Sequence, residues 1–482
     1  MRRTPAALTV ALITVVGWLP AAAPLATAQP LECEYPAYGD INADGTPELV
    51  VGVPNAHGGA GAVDIFYDRA KAPTRVTAAS LGFTPSAGEE FGSSALITDL
   101  DGDGCSELVV GAPGADAGAG RVYIAKGTPS GLSDTPTYAP ISSPSAGARF
   151  GATLSETSTA KQQDVLMIGA PGYDHPVKDA GAVALVELNR STGTHKAPIM
   201  VNQATPGVAG SAKAGDGFGS VLAGNIVGVP AKGVGAAKDA GAVVRLLLKS
   251  TSPKLEVTGQ EWTQNSPGVS GTAEAGDRFG ASLTGGGFVA VGVPGEDVGS
   301  AKDAGMVHLF RQTDIAGANA FKQDHAYTQN TAGVPGTAEQ GDRFGAAVAF
   351  GDMESGESGY NLWIGAPGES IGATARAGSV TRLGLGGSRL PNTALYSGHG
   401  LPGTPERGDQ LGATLGTVGD DYNMEEDGST SLLIGVPGED RGTARDSGWV
   451  IFSRYSFDAS PRTKGLANKA VAGERYGQVF GS

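Results

Sequence analysis

Two nine-residue stretches hold oxygen-bearing side chains at a spacing that could do chemistry: Asp40-Ile41-Asn42-Ala43-Asp44-Gly45-Thr46-Pro47-Glu48 and Asp99-Leu100-Asp101-Gly102-Asp103-Gly104-Cys105-Ser106-Glu107. With the first Asp as position 1, side-chain oxygens fall at 1, 3, 5 and 9, glycine stands at 6, and position 7 (Thr46 or Cys105) offers its backbone carbonyl. Such a run wraps the chain around a hard cation, which takes six to eight oxygens at roughly 2.3–2.6 Å. An EF-hand begins the same way but needs a glutamate at position 12 and a helix on each side. Position 12 here is Val51 or Val110, inside the apolar runs Leu49-Val50-Val51 and Leu108-Val109-Val110. Each loop is therefore expected to join two strands, and the metal to brace a turn with little room left for a substrate.

Two further acidic segments are degenerate versions. Asp352, Glu354 and Glu357 keep the distance from the preceding aromatic-glycine pair but lose the order. Asp420, Asp421, Asn423, Glu425 and Asp427 are spread too widely for the pattern. These allow up to two more, weaker sites. Other chemistry is thinly represented. The six histidines never take zinc-ligand spacing, and neither a Gly-x-Ser-x-Gly elbow nor a phosphate-binding glycine loop is present. Arg407-Gly408-Asp409 has the form of a cell-attachment tripeptide, but Gly408-Asp409-Gln410-Leu411-Gly412 reads better as one copy of a recurring word. No catalytic constellation is recognised, so a non-enzyme is expected.

The elements that must position the loops recur. Gly-Val-Pro or Gly-Ala-Pro closes an apolar run seven times, starting at Gly52, Gly111, Gly169, Gly228, Gly292, Gly365 and Gly435. An aromatic or leucine followed by glycine precedes six of these: Phe91-Gly92, Phe150-Gly151, Phe218-Gly219, Phe279-Gly280, Phe344-Gly345 and Leu411-Gly412. A seventh, Tyr476-Gly477, stands alone near the C-terminus. Between the marks lie short apolar runs, and 77 glycines and 29 prolines punctuate them throughout the 482 residues. That is a profile of many strands joined by turns. Each unit of roughly 60 residues suits one antiparallel blade, whose two apolar faces must be covered by neighbouring copies. The expected fold is all-β, a seven-bladed β-propeller. The first Gly-x-Pro unit lacks a Phe-Gly strand and the last Tyr-Gly lacks a Gly-x-Pro, so pairing of the N- and C-terminal segments is expected to close the ring.

Seven Phe-Gly plus Gly-Ala-Pro units with Asp-rich loops resemble the FG-GAP repeats of the integrin α-subunit propeller, also found in glycosylphosphatidylinositol-specific phospholipase D and in many secreted bacterial proteins. The resemblance spans residues 33 to 482. It implies calcium in the loops of the first two blades, held by Asp40, Asn42, Asp44, Thr46 and Glu48 and by Asp99, Asp101, Asp103, Cys105 and Glu107. It departs from that pattern in that most units lack the loop, and nothing resembles the legs, membrane helix or catalytic domain of those relatives.

Residues 1–28 read as a signal peptide: Arg2 and Arg3, an apolar run from Ala6 to Leu19, and Ala26-Thr27-Ala28 at the cleavage positions. Residues 29–482 then form one propeller, released outside the cell, with no later stretch apolar enough to span a bilayer. Its two cysteines, Cys33 and Cys105, have an oxidising compartment in which to pair. A net charge of -15 disfavours nucleic acid and anionic membranes as partners. The reading is a secreted integrin-like binding or adhesion module, acting as a monomer on an extracellular protein or glycan. The alternatives are a secreted hydrolase of esterase or phospholipase type with its site on the propeller face, or a structural surface component.

Overall fold

The computed structural model describes Cys33 and residues 39–133, 140–143, 145–159, 164–189, 194–251, 254–285, 288–312, 321–352, 360–386, 391–419, 430–454, 462–466 and 470–481. The leader (1–28) lies outside them. Among the described residues the chain builds seven sheets of four or five strands, antiparallel except for a short parallel pairing of Tyr396 and Ser397 with Gly400 and Leu401 in blade six, a seven-bladed β-propeller. The second blade shows the plan. Its strands Ser94–Thr98, Glu107–Ala112, Arg121–Ala125 and Ile141–Ser142 pair in chain order, so the acidic loop 99–106 joins the first two. In blades two to seven the first strand faces the axis, where Leu96, Leu154, Leu222, Leu283, Val348 and Leu415 help line a channel of about 320 Å³.

Blade one differs in where its strands come from. Leu49–Val53, Ala62–Phe66 and Thr74–Val76 are consecutive, but the axial strand is Val479–Phe480, paired through Val51 with Phe480 and Gly52 with Val479. Arg75 on the outer strand holds Asp64 with two bonds of 2.8 and 3.0 Å and reaches Glu474 at 3.2 Å, so a charged clasp spans this sheet as well.

The recurring words have a shared geometry. Phe91, Phe150, Phe218, Phe279, Phe344, Leu411 and Tyr476 are all buried between blades, and each bridges in parallel to a glycine of the preceding blade, from Gly61 with Phe91 to Gly448 with Tyr476. The glycine that follows turns its carbonyl onto the Gly-x-Pro glycine of the preceding blade. A Cβ placed on Gly52, Gly111, Gly169, Gly228, Gly292, Gly365 or Gly435 would meet that oxygen at 1.9–2.2 Å, well inside contact distance. Glycine is required because backbone meets backbone there.

Gly292→Ala should therefore destabilise by about 2 kcal/mol or more, the scale of an overpacked core site, whereas Gly285→Ala, which meets nothing within 4 Å, should have little effect; denaturant unfolding compares the two. A chain ending at Gly473 loses the axial strand of blade one and the Glu474 end of the clasp. It should be cut rapidly by protease under conditions where the full chain resists, and equal resistance would show that this strand adds little.

Candidate metal centre

Strand two of each early blade runs from an acidic loop at one end to the Gly-x-Pro turn at the other, so the two features lie on opposite rims. In the first loop the chain curls around its own carboxylates. The Asp40 carboxylate accepts backbone N–H groups from Asn42 (3.2 Å) and Gly45 (2.7 Å). The Asn42 amide oxygen accepts from Asp44 N–H (3.0 Å), and the Asp44 carboxylate from Thr46 N–H (2.9 Å). Glu48, the last residue before the strand, accepts Ile41 N–H at 2.5 Å. These turns place ligand atoms of Asp40, Asp44 and Glu48 within 4.8 Å of one another. Asn42 joins them through its bond to Asp44 (3.1 Å), and Thr46 through its backbone N–H.

The second loop repeats the scheme. Asp99 accepts from Gly102 (2.6 Å) and Gly104 (3.3 Å), Asp101 from Asp103 N–H (3.2 Å), Asp103 from Cys105 N–H (3.0 Å) and Glu107 from Leu100 N–H (2.7 Å). Asp99, Asp101 and Glu107 come together within 4.8 Å, while Asp103 lies toward Cys33 and Cys105. Those two cysteines are joined in a disulfide. Gly104 has φ +93°, and a Cβ there would meet the Cys33 carbonyl at 2.6 Å. The loops also touch directly, through Ser106 N–H to Asp40 O at 2.7 Å.

The electrostatics ask for a positive charge. Asp40 and Glu107 are fully buried and Glu48 nearly so. Burial, with the nearby Asp40 and Asp44 charges, pushes the Glu48 carboxyl up to about 8; burial, with Asp101, does the same for Glu107. Glu48 Oε1 and Glu107 Oε1 are buried without a hydrogen-bond partner. Hard oxygens, converging carboxylates and one orphaned oxygen per loop fit a calcium-like ion.

Lys126, from the third strand of blade two, was not foreseen from the sequence. Its ammonium bonds Asp101 and lies 2.9 Å from Asp103. Although partial burial works against it, these carboxylates hold the ammonium charged above the usual lysine range. In the second loop it neutralises part of the acid cluster, and the first loop has no such lysine among its described contacts.

Asp352 ends a strand of blade six, while Glu354, Glu357, Asp420, Asp421, Asn423, Glu425 and Asp427 lie outside the described residues. Asp409 of the Arg-Gly-Asp tripeptide is buried and accepts Glu406 N–H at 2.6 Å. It belongs to the blade and is not presented at the surface.

Comparison with known proteins bears on this geometry. The FG-GAP repeat family matches residues 37–66 and 91–124, the two segments that contain the acidic loops. These two segments carry FG-GAP repeats, and the described residues fold as a seven-bladed propeller. Among curated proteins it is similar to integrin alpha-PS5 of Drosophila melanogaster, 37% identical over 152 residues, covering 28% of this chain and 14% of that protein. The match thus spans a small part of the relative. Among solved structures it is similar to the periplasmic gluconolactonase PpgL of Pseudomonas aeruginosa (TM-score 0.43, 13% identity, 88% of this chain and 96% of that one). It is also similar to the sialidase of Trypanosoma rangeli (TM-score 0.29, 11% identity, 64% and 53%). No helix among the described residues is long and apolar enough to cross a membrane.

The raised carboxyls set a sign for metal-free protein. A folded-state value above the unfolded one contributes stability that is complete below about pH 4 and is lost as pH rises through about 8. In a chelator the melting temperature should therefore fall across this window. Calcium should reverse the fall, most strongly at the alkaline end where the ligands are deprotonated. Glu48→Gln should flatten the profile and weaken the calcium response; thermal melts with and without calcium from pH 5 to 9 read both effects.

Proposed function

We propose that the protein is a secreted, calcium-stabilised propeller acting as an extracellular binding or adhesion module for a protein or glycan. The observation that carries this reading is the coincidence of the FG-GAP match with the two converged acid loops. The similarity to an integrin α chain supports a protein-facing role. In the first loop Asp40, Asn42, Asp44 and Glu48 would hold the ion, with Thr46 contributing its carbonyl. In the second the ion would take Asp99, Asp101, Asp103 and Glu107 with the Cys105 carbonyl, and Lys126 would have to withdraw. Calcium supplies charge neutralisation there. The chain's own groups fix the turns through backbone N–H donors, and the disulfide ties the segment before the first loop to the second. Export would suit both the disulfide and calcium, which is plentiful outside cells.

The ligand would meet the propeller rim away from the acid loops, where the Gly-x-Pro turns and the loops leading into each blade converge. There Gln340, Arg343, Ser370, Arg376 and Gln410 line a cavity of about 390 Å³. Binding of purified protein to a glycan array and to immobilised cell-surface extract tests the reading. Saturable binding at micromolar concentration, weakened by Arg343→Ala/Arg376→Ala, is the expected result. Turnover of an ester or phosphodiester panel that disappears on a single substitution would replace this reading with a hydrolase.

A further inference from the structure

The loops leading into blades four, five and six share one construction but differ in charge: Lys213 and Lys232 of blade four are replaced by Glu274 and Glu296 in blade five and by Glu339 and Glu369 in blade six, and Gly217 by Arg278 and Arg343. In each, an aspartate two residues before the buried Phe accepts a backbone N–H three residues upstream: Lys213 to Asp216 at 2.9 Å, Glu274 to Asp277 at 2.6 Å and Glu339 to Asp342 at 2.6 Å. Each aspartate is buried. Facing it is the residue just past the Gly-x-Pro turn, whose carbonyl accepts from the same glycine position every time: Gly241 N–H to Lys232, Gly305 N–H to Glu296 and Gly378 N–H to Glu369. A glutamine on the incoming chain completes each set: Gln203, Gln264 and Gln329, exposed by 5%, 1% and 3%.

In blade four that facing residue is Lys232. Its ammonium sits 3.4 Å from Asp216, 2.8 Å from the Gln203 amide oxygen and 2.8 Å from the Ser211 carbonyl. Glu261 lies 3.6 Å from the same ammonium and accepts from the Gln203 NH2, so the cation is surrounded by oxygens of two carboxylates, an amide and a backbone carbonyl. In blades five and six a glutamate stands where the lysine was, so an acid now faces an acid. The glutamine turns its NH2 to that glutamate, Gln264 to Glu296 at 2.6 Å and Gln329 to Glu369 at 2.5 Å. The amide oxygens, Gln264 Oε1 and Gln329 Oε1, are then buried with no partner. Two features set these loops apart: a buried amide oxygen without a hydrogen-bond partner, and, in the sister loop, an ammonium bonded to the equivalent oxygen of Gln203.

We propose that the lead-in loops of blades five and six each bind a hard cation of calcium's kind, between Asp277 and Glu296 and between Asp342 and Glu369. With its amide turned over, the glutamine would add its oxygen, and the carbonyl in register with that of Ser211, on Thr272 or Thr337, would complete the donor set. All donors are oxygens, the preference of a hard divalent ion. The ion does in these two blades what the Lys232 ammonium does in blade four. These places lie on the rim opposite the acidic loops, and the repeat that creates them is legible as Gly-Glu after the Gly-x-Pro turn.

Calcium bound per full-length chain at pH 8, measured by equilibrium dialysis and elemental analysis, tests this. Glu296→Gln/Glu369→Gln should lose two equivalents relative to the parent. Glu296→Lys/Glu369→Lys, which copies the sister loop, should lose the same two and melt higher than the parent in chelator. Glu48→Gln/Glu107→Gln reports separately on the acidic loops, so failure there is distinguishable. An unchanged calcium count in both Glu296/Glu369 variants, with native circular dichroism, would overturn the proposal and leave each acid pair neutralised by a proton.

Discussion

The molecule depends on backbone meeting backbone between blades. Each Gly-x-Pro glycine sits so close to the carbonyl of the next Phe-Gly glycine that even a methyl group would fall about 2 Å from oxygen. With no side chain between them, the blades are held at one spacing, and the Phe, Leu or Tyr before each glycine is driven into the gap between sheets. Close packing of this kind leaves little tolerance. The same contact, repeated from Gly52 with Gly92 to Gly435 with Gly477, imposes the same geometry on every seam.

A repeat of that sort brings like residues to like places, and this chain is acidic. The sheets are apolar and well covered, so the carboxylates gather where the strands turn. On one rim they form the two loops around Asp40 and Asp99; on the other they form the buried aspartates of the lead-in loops. Desolvated carboxylates close together cannot all stay ionised without compensation. The structure shows three forms of relief: backbone N–H donors within each turn, a lysine from elsewhere in the fold (Lys126 or Lys232), and the Arg75 clasp on Asp64 and Glu474.

Seven copies of two short words made blade number and strand content legible, and the unmatched ends pointed to the place that Val479–Phe480 takes beside Leu49–Val53. The acid loops were legible because their ligands are local: nine residues hold the whole spacing. Lys126 was hidden because it arrives from a strand 25 residues after Asp101, and its approach is set by sheet pairing rather than by any pattern in the loop. The Arg75 clasp was hidden for the same reason, spanning 399 residues to Glu474. Asp277 and Asp342 hold the place of Asp409 in the recurring Gly-Asp-x-Phe-Gly word, but burial and facing partners are tertiary properties, and only the recurrence of Gly-Glu past the turn could have hinted at them.

The placement of charge also bears on what the fold can be used for. A propeller whose strands are satisfied by their neighbours has little reason to change shape, so its selectivity must come from what its rims carry. Here each rim combines rigid backbone with carboxylates whose charge is conditional on a counterion. Where the counterion is a lysine of the chain, the charge is fixed at folding. Where it is a proton or a soluble ion, the charge of the rim follows the medium, because a buried acid pair ionises fully only when something positive comes to it. The substitution of Glu296 and Glu369 for Lys232 thus changes a permanently neutralised turn into one whose state the surroundings set, while the carbonyl of that residue still accepts from the same glycine of the repeat.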